Sequence, residues 1–299
     1  MFKNVLLYRI GAQWKAPVAR IEEALQRSRF VECRPSQEKS FGWAEPRGQA
    51  HGALVESVGA QLILKFMVET KLLPASVVRR AAQRKMDKIE ARTGRKPGKK
   101  EAKELREATM AELLPRAFTK EAAVTVWIDP KARLLAIDTV SQARADEVNT
   151  ALVRSLDGFT VAPIQTNSAP HTAMSLWLTD RAAPGRFDFD RECELKSTDE
   201  AQSAVRYSRH QIDIAEIRRH VEGGKLPTKL AMTWDGKISF LLTDAMQIKK
   251  VRFLDGVLKE DGGEDDDRFD ADFAIVTGEL GKLVPDLIAA LGGEVATGK

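Results

Sequence analysis

The apolar positions change period several times along the chain, and each change marks an element. Val5-Leu6-Leu7-Tyr8, inside Lys3 to Ile10, is dense enough in apolar side chains for a strand. Pro17 then stands in a first helical turn, and Val18, Ile21 and Leu25 recur at helical spacing to about Arg27. Gly42-Trp43 and Gly48 to Gly52 bracket short extended pieces, and Gln61 to Val68 reads as a buried strand that Lys71-Leu72-Leu73-Pro74 ends. Residues 76–93 and 99–114 take helical spacing, joined by Gly94-Arg95-Lys96-Pro97-Gly98, a turn made of helix breakers. This predicts a helical hairpin whose first helix, at ~1.5 Å per residue, is about 27 Å long and projects beyond a sheet-containing body.

Beyond the hairpin, Pro115-Arg116-Ala117-Phe118 closes the excursion, and Val124 to Ile128 with Leu134 to Ile137 form a pair of strands around Asp129-Pro130. A helix capped by Ser141 runs to Leu156, and Thr160 to Pro163 is extended. The rest repeats the mixture. Ser168 to Leu178 is helical, Phe187 to Lys196 and Ala204 to Tyr207 are extended, and Ile214 to Val221 is helical. Three strands follow at Lys229 to Thr233, Ile238 to Thr243 and Ile248 to Leu254, before a last helix from about Phe273 to Leu291. Strands in runs rather than strict βαβ alternation give an α+β class with antiparallel-rich sheets. The expected division is a discontinuous central α+β domain of residues 1–74 and 119–165, a helical hairpin tip at 75–118, and a C-terminal α+β base at 166–299.

Composition narrows the class. The 299 residues are 43% apolar, enough for a real core, and no window approaches eighteen consecutive apolar residues. The short apolar run after Met1 is too quickly polar for a signal segment, so a cytoplasmic protein with no membrane contact is expected. Charge changes the picture more. Lys71 to Arg106 holds thirteen Lys/Arg against four acids, a net of +9, whereas Asp255 to Lys299 has a net of −8, although the whole chain is only +4. Such segregation suits a protein that grips a polyanion with one part and keeps another part away from it.

On the first hairpin helix Val78, Ala82, Met86 and Ile89 make a narrow apolar stripe, while Arg80, Arg84, Lys88 and Arg92 step by four along another face. Like charges at that spacing repel, and a phosphate backbone would offset the repulsion by counterion release. The competing reading is a plain solvated face. The turn favours the first reading, because it adds Arg95, Lys96, Lys99 and Lys100 with no acid between them. On the second helix Lys100 with Glu104 and Lys103 with Glu107 read as ordinary ion pairs.

Other signals lead away from catalysis. Asp261 to Asp267, with Asp270 and Asp272, invites a metal-nuclease reading, but a contiguous run containing glycine is how a solvated loop looks, with Asp270 or Asp272 near a helix N-terminus. Gly223-Gly224-Lys225 lacks the spacing of a phosphate loop and reads as a helix cap. His51, His171, His210 and His220 are scattered, and no serine or cysteine sits in a nucleophile motif. The five tryptophans are read as core, and Cys33 and Cys193 as buried small hydrophobes. No catalytic residue, metal ligand or cofactor is expected.

Three strings carry a resemblance: Leu113-Leu114-Pro115-Arg116-Ala117-Phe118; Thr228-Lys229-Leu230-Ala231 ahead of Trp234; and Arg268-Phe269-Asp270-Ala271-Asp272-Phe273 with Thr277-Gly278-Glu279-Leu280. In order and spacing they resemble the family of recombination-associated protein RdgC, with weaker echoes from Lys3-Asn4 to Ala289-Ala290-Leu291-Gly292-Gly293-Glu294. The resemblance implies a nucleoid-associated protein that binds duplex DNA with little sequence preference and restrains the RecA recombinase. It also implies a two-fold homodimer closed into a ring with a positively lined hole, and it leaves single-stranded DNA open as a further ligand. Phe118 becomes the candidate closing contact between protomers, against the alternative of a core phenylalanine. Arg206, Arg209, His210 and Gln211 become candidate phosphate contacts beside Arg80, Arg84, Lys88, Arg92, Arg95 and Lys96. A lysine is more usual where His210 stands, so that contact would weaken above neutral pH. Two other readings stay open: an acidic C-terminal region that docks on a protein partner, and, more distantly, a metal-dependent nuclease.

Overall fold

The computed structural model describes residues 2–197, 203–208, 214–257 and 265–295. Two antiparallel sheets organise them. The first contains β1 (Leu6–Ile10), β2 (Lys39–Ala44), β3 (Val55–Val58), β4 (Gln61–Leu72), β5 (Phe118–Asp129), β6 (Leu134–Ile137) and β7 (Val161–Pro163). Its order is β2-β4-β5-β6-β1-β7, with β3 also pairing β4. Helices α1 (Val18–Gln26) and α4 (Gln142–Ser155) bring Ile21, Leu25, Ala145, Val148 and Leu152 into one core cluster with this sheet. The hairpin helices α2 (Ala75–Thr93) and α3 (Lys99–Leu113) come between β4 and β5.

The second sheet has the order β12-β11-β10-β8-β9, from β8 (Phe187–Ser197), β9 (Ala204–Ser208), β10 (Lys225–Trp234), β11 (Ile238–Thr243) and β12 (Ile248–Phe253). Helices α5 (Pro170–Asp180), α6 (Ile214–Glu222) and the long α7 (Asp265–Ala290) accompany it. Every strand pair in both sheets is antiparallel, so the α+β expectation holds.

Alternation along β4 explains how the layers meet. Leu62, Leu64, Phe66 and Val68 join the cluster of α1 and α4, while Ile63 belongs to the cluster shared with α7 and the second sheet. Trp127, Leu7 and Ala136 sit with Ile63. Polar ties help to hold this end of the chain: the Trp234 indole N–H donates to Asp286 of α7 at 2.8 Å, and just past α7 the Arg9 guanidinium grips Glu294 with bonds of 3.0 and 2.5 Å. Val5 and Ile248 exchange backbone hydrogen bonds of 2.7 and 3.1 Å, which join the start of the chain to β12.

Several expectations need correction. The buried strand does not stop at Val68: β4 runs on to Leu72, because Glu69, Thr70 and Lys71 pair with Glu121, Lys120 and Thr119 of β5. Gly42 and Trp43 lie inside a strand rather than beside one. Gly42 is required there, since a Cβ would stand 2.6 Å from the Cα of Phe30. Strand β3, which the periodicity misses, is only four residues long. All five tryptophans are buried and so is Cys193, but Cys33 is half-buried and donates its N–H to the Glu69 carboxylate.

Candidate nucleic-acid interface

The hairpin is built by a narrow apolar seam and by its turn. Ala82 and Met86 are buried on α2 and Thr109 on α3, while Val78 and Ile89 are only half-buried. The two helices pack chiefly against each other. Gly94 takes a left-handed φ of 73° and its N–H returns to the Glu90 carbonyl at 2.8 Å, which ends α2 and turns the chain. Thr93 Oγ1 donates to the Ile89 carbonyl at 2.8 Å and tightens the same turn.

Opposite the seam, Arg80, Arg84, Lys88 and Arg92 are all exposed, and among the described residues none has an acidic partner. Twelve residues separate the ends of the row, a distance of about 18 Å along the helix. Arg79, Lys99, Lys100, Arg106 and Arg116 likewise lack an acidic partner among the described residues, whereas four other cations of the hairpin are paired. Lys85 pairs with Glu112 at 2.5 Å, Lys103 with Glu107 at 3.8 Å, Arg95 with Glu101 at 3.4 Å and Lys96 with Glu90 at 3.9 Å. The turn is therefore less bare than its sequence suggests, because acids on the flanking helices fold back onto Arg95 and Lys96. The expected Lys100 to Glu104 pair does not form.

Arg206 lies on β9 and is exposed, but its Nε donates to Glu194 at 2.5 Å. Arg209, His210 and Gln211 lie outside the described residues. Around Glu194 the structure gathers cations that sequence reasoning did not select. Lys229 Nζ stands 3.1 Å and Lys196 Nζ 3.6 Å from the carboxylate, and Thr228 Oγ1 donates to it at 3.0 Å. Burial works to raise the Glu194 pKa, but the hydrogen bonds from Lys229, Thr228 and Arg206 outweigh it and hold the carboxyl at about 2. The hints in the sequence were the Glu194-Leu195-Lys196 echo, Lys229 within the Thr228 to Ala231 string and the candidate Arg206, and strand pairing was needed to bring them together.

Phe118 opens β5 directly opposite Leu72 and is 84% exposed, so the core alternative is removed. Leu72 is also exposed, and together they form an apolar edge at the root of the hairpin. The acidic stretch is not wholly a loop. Asp265 to Asp267 already belong to α7, Asp270 pairs with Arg47 at 2.5 Å and Asp272 with Arg268 at 3.9 Å, while Asp261 to Glu264 lie outside the described residues. Among the described residues no group of three or more His, Cys, Asp or Glu side chains is arranged to hold a metal ion, and no helix is long and apolar enough to cross a membrane.

A family model described as "Putative exonuclease, RdgC" matches residues 1–294. The chain belongs to the RdgC family. Recombination-associated protein RdgC of Dechloromonas aromatica (strain RCB) is 45% identical, with 100% of this chain and 99% of the relative covered. Its namesake in Cupriavidus pinatubonensis (strain JMP 134 / LMG 1197) is 43% identical, with 98% of each chain covered, and that of Bordetella pertussis (strain Tohama I / ATCC BAA-589 / NCTC 13251) is 39% identical over the same shares. These RdgC relatives are named for recombination, whereas the family description speaks of an exonuclease. The strings that carried the resemblance fall at joints of the RdgC fold: the passage from α3 into β5, the strand beside Glu194, and the first turns of α7.

Proposed function

We propose that this chain is a recombination-associated protein that binds DNA through its phosphate backbone, leaves base edges unread, and restrains the RecA recombinase by occupying duplex DNA as a ring-shaped homodimer. One observation carries the reading. Four cations step along a single helix face with no acidic partner among the described residues, although four neighbouring cations on the same hairpin are paired. A face kept bare in this way is matched to a regular row of negative charge, and a polynucleotide backbone is such a row. The hairpin of residues 75–118 is then the part that holds DNA, with Arg95, Lys96 and the segment from Arg206 to Gln211 supplementing it. The exposed Phe118 supports its role as the closing contact between protomers.

Binding to a covalently closed circular duplex and to the same DNA linearised, each across a salt series, tests the whole reading. A steep salt dependence on both, with complexes that outlast high salt only on the closed circle, is the expected result. Equal and weakly salt-dependent binding would shift the function to a protein-docking role for the acidic C-terminal region. The family description adds one control: labelled DNA with Mg²⁺ or Mn²⁺ is expected to stay intact, and cleavage lost in Asp270→Asn would make the chain a nuclease.

A further inference from the structure

The Glu194 cluster does more than neutralise a buried acid. Arg206 on β9, Glu194 on β8 and Lys229 on β10 are direct cross-strand partners, so three neighbouring strands place them in one row across the sheet. Lys196, two residues along β8, returns to the same face. The Glu194 side chain is only 5% exposed, yet three cationic heads meet on it, with side-chain exposures of 70% for Arg206, 48% for Lys196 and 36% for Lys229. Arg206 Nε and Lys229 Nζ share a single oxygen, Oε2, so these nitrogens lie no further apart than the sum of 2.5 and 3.1 Å. One cation would satisfy one carboxylate. Three leave a local charge of +2 among the described residues, on side chains already drawn together against their mutual repulsion. The adjacent acid on the same face, Glu192, is itself taken by Lys250 at 2.6 Å and does not cancel the excess.

Donors also remain. Arg206 spends its Nε on Glu194, and its two terminal amino groups have no partner among the described residues. A phosphate oxygen suits such a site, because guanidinium and ammonium donors to an anion make short, charge-assisted hydrogen bonds. We propose that Lys196, Arg206 and Lys229 form a second backbone-phosphate site on the face of the five-stranded sheet, and that the buried Glu194 is the positioning residue that gathers them. This rests on the DNA-binding reading above and extends its Arg206 contact to Lys196 and Lys229, with Glu194 as the residue that holds the three together. Holding long side chains in place before the ligand arrives removes part of the ordering cost that each would otherwise bring to binding.

Glu194→Gln gives the clearest test, because positioning and bulk charge predict opposite signs. The substitution makes the chain more positive by one, so a simple electrostatic account expects tighter DNA binding. Positioning expects weaker binding by about three- to tenfold, the cost of ordering one or two long side chains anew. Arg206→Ala, of an exposed side chain, and Lys229→Ala, of a half-buried one, should each lower the salt slope of duplex binding by about one, and they carry the test if Glu194→Gln does not fold. The measurement is fluorescence anisotropy of the full chain on duplex DNA across a chloride series, beside phosphorus NMR line broadening of inorganic phosphate. Weaker binding in Glu194→Gln and shallower slopes in the two alanine variants support the assignment. Unchanged slopes while the hairpin variant still loses binding would overturn this site and leave the hairpin reading standing. Phosphate broadening that vanishes in Arg206→Ala, without any effect on DNA, would make it a site for free phosphate instead. A wild-type chain that binds no DNA at all would overturn both readings.

Discussion

Replacing Arg80, Arg84, Lys88 and Arg92 together by alanine isolates the hairpin's contribution. The row spans about 18 Å, and one DNA strand carries a phosphate every ~3.4 Å along the axis, so about five phosphates lie within its reach. Four contacts at ~0.9 each should lower the slope of log affinity against log salt by about 3.6. Between roughly 50 and 200 mM salt that difference amounts to an affinity change on the order of a hundredfold which the wild type shows and the variant lacks. Stability should hardly move. All four side chains are exposed and have no ion-pair partner among the described residues, alanine is the better helix former, and removing like charges at i,i+4 relieves repulsion. The assay is anisotropy on two duplexes of unrelated sequence, with a circular-dichroism melt as control. An equal loss on both duplexes with an unchanged melt is expected. A slope that falls by less than one, or a loss confined to one duplex, would refute backbone recognition by this face.

Two further expectations concern assembly and pH. Phe118→Asp places a charge at the apolar edge it shares with Leu72, and sedimentation velocity should show the proposed homodimer giving way to monomer, while the melt stays within about 0.5 kcal/mol because the side chain is 84% exposed; an unchanged mass would remove Phe118 from the interface. Glu194, held at about 2 against an ordinary 4.5, adds stability above pH ~4.5 that is lost as pH falls toward 2, so the Tm gap between wild type and Glu194→Gln should narrow across that window. A constant gap from about pH 6 to pH 2.5 would mean that the ionised carboxylate is not what the folded state holds.

The hairpin was legible because its evidence is local. The apolar stripe of α2, the stepped cations and the glycine-proline turn all lie within neighbouring turns of chain, and Ser141 likewise caps α4 by accepting the Arg144 N–H at 3.3 Å. What escaped depends on pairing across the sheets. Glu69 to Lys71 carry no strand-like apolar density and are extended because β5 lies beside them. Arg95 and Lys96 look unpaired in sequence but find Glu101 and Glu90 once the turn closes. The cluster at Glu194 draws on residues from three strands, and no single stretch of sequence shows it. Phe118 could be named but not placed, since an apolar residue after a helix looks the same whether it is buried or exposed.

The facing pair Leu72 and Phe118 has a consequence for how this chain can vary. β4 and β5 stay in unbroken register from Leu62 with Ile128 to Leu72 with Phe118, so the two ends of segment 73–117 are held one strand spacing apart whatever lies between them. The hairpin is in that sense an insert with its own seam, and the sheet beneath does not measure its length. Whole turns could be added to or removed from α2 and α3 together, lengthening or shortening the cationic row, without shifting one residue pair in the body. Reach toward a ligand and stability of the core are thereby left to separate parts of the sequence.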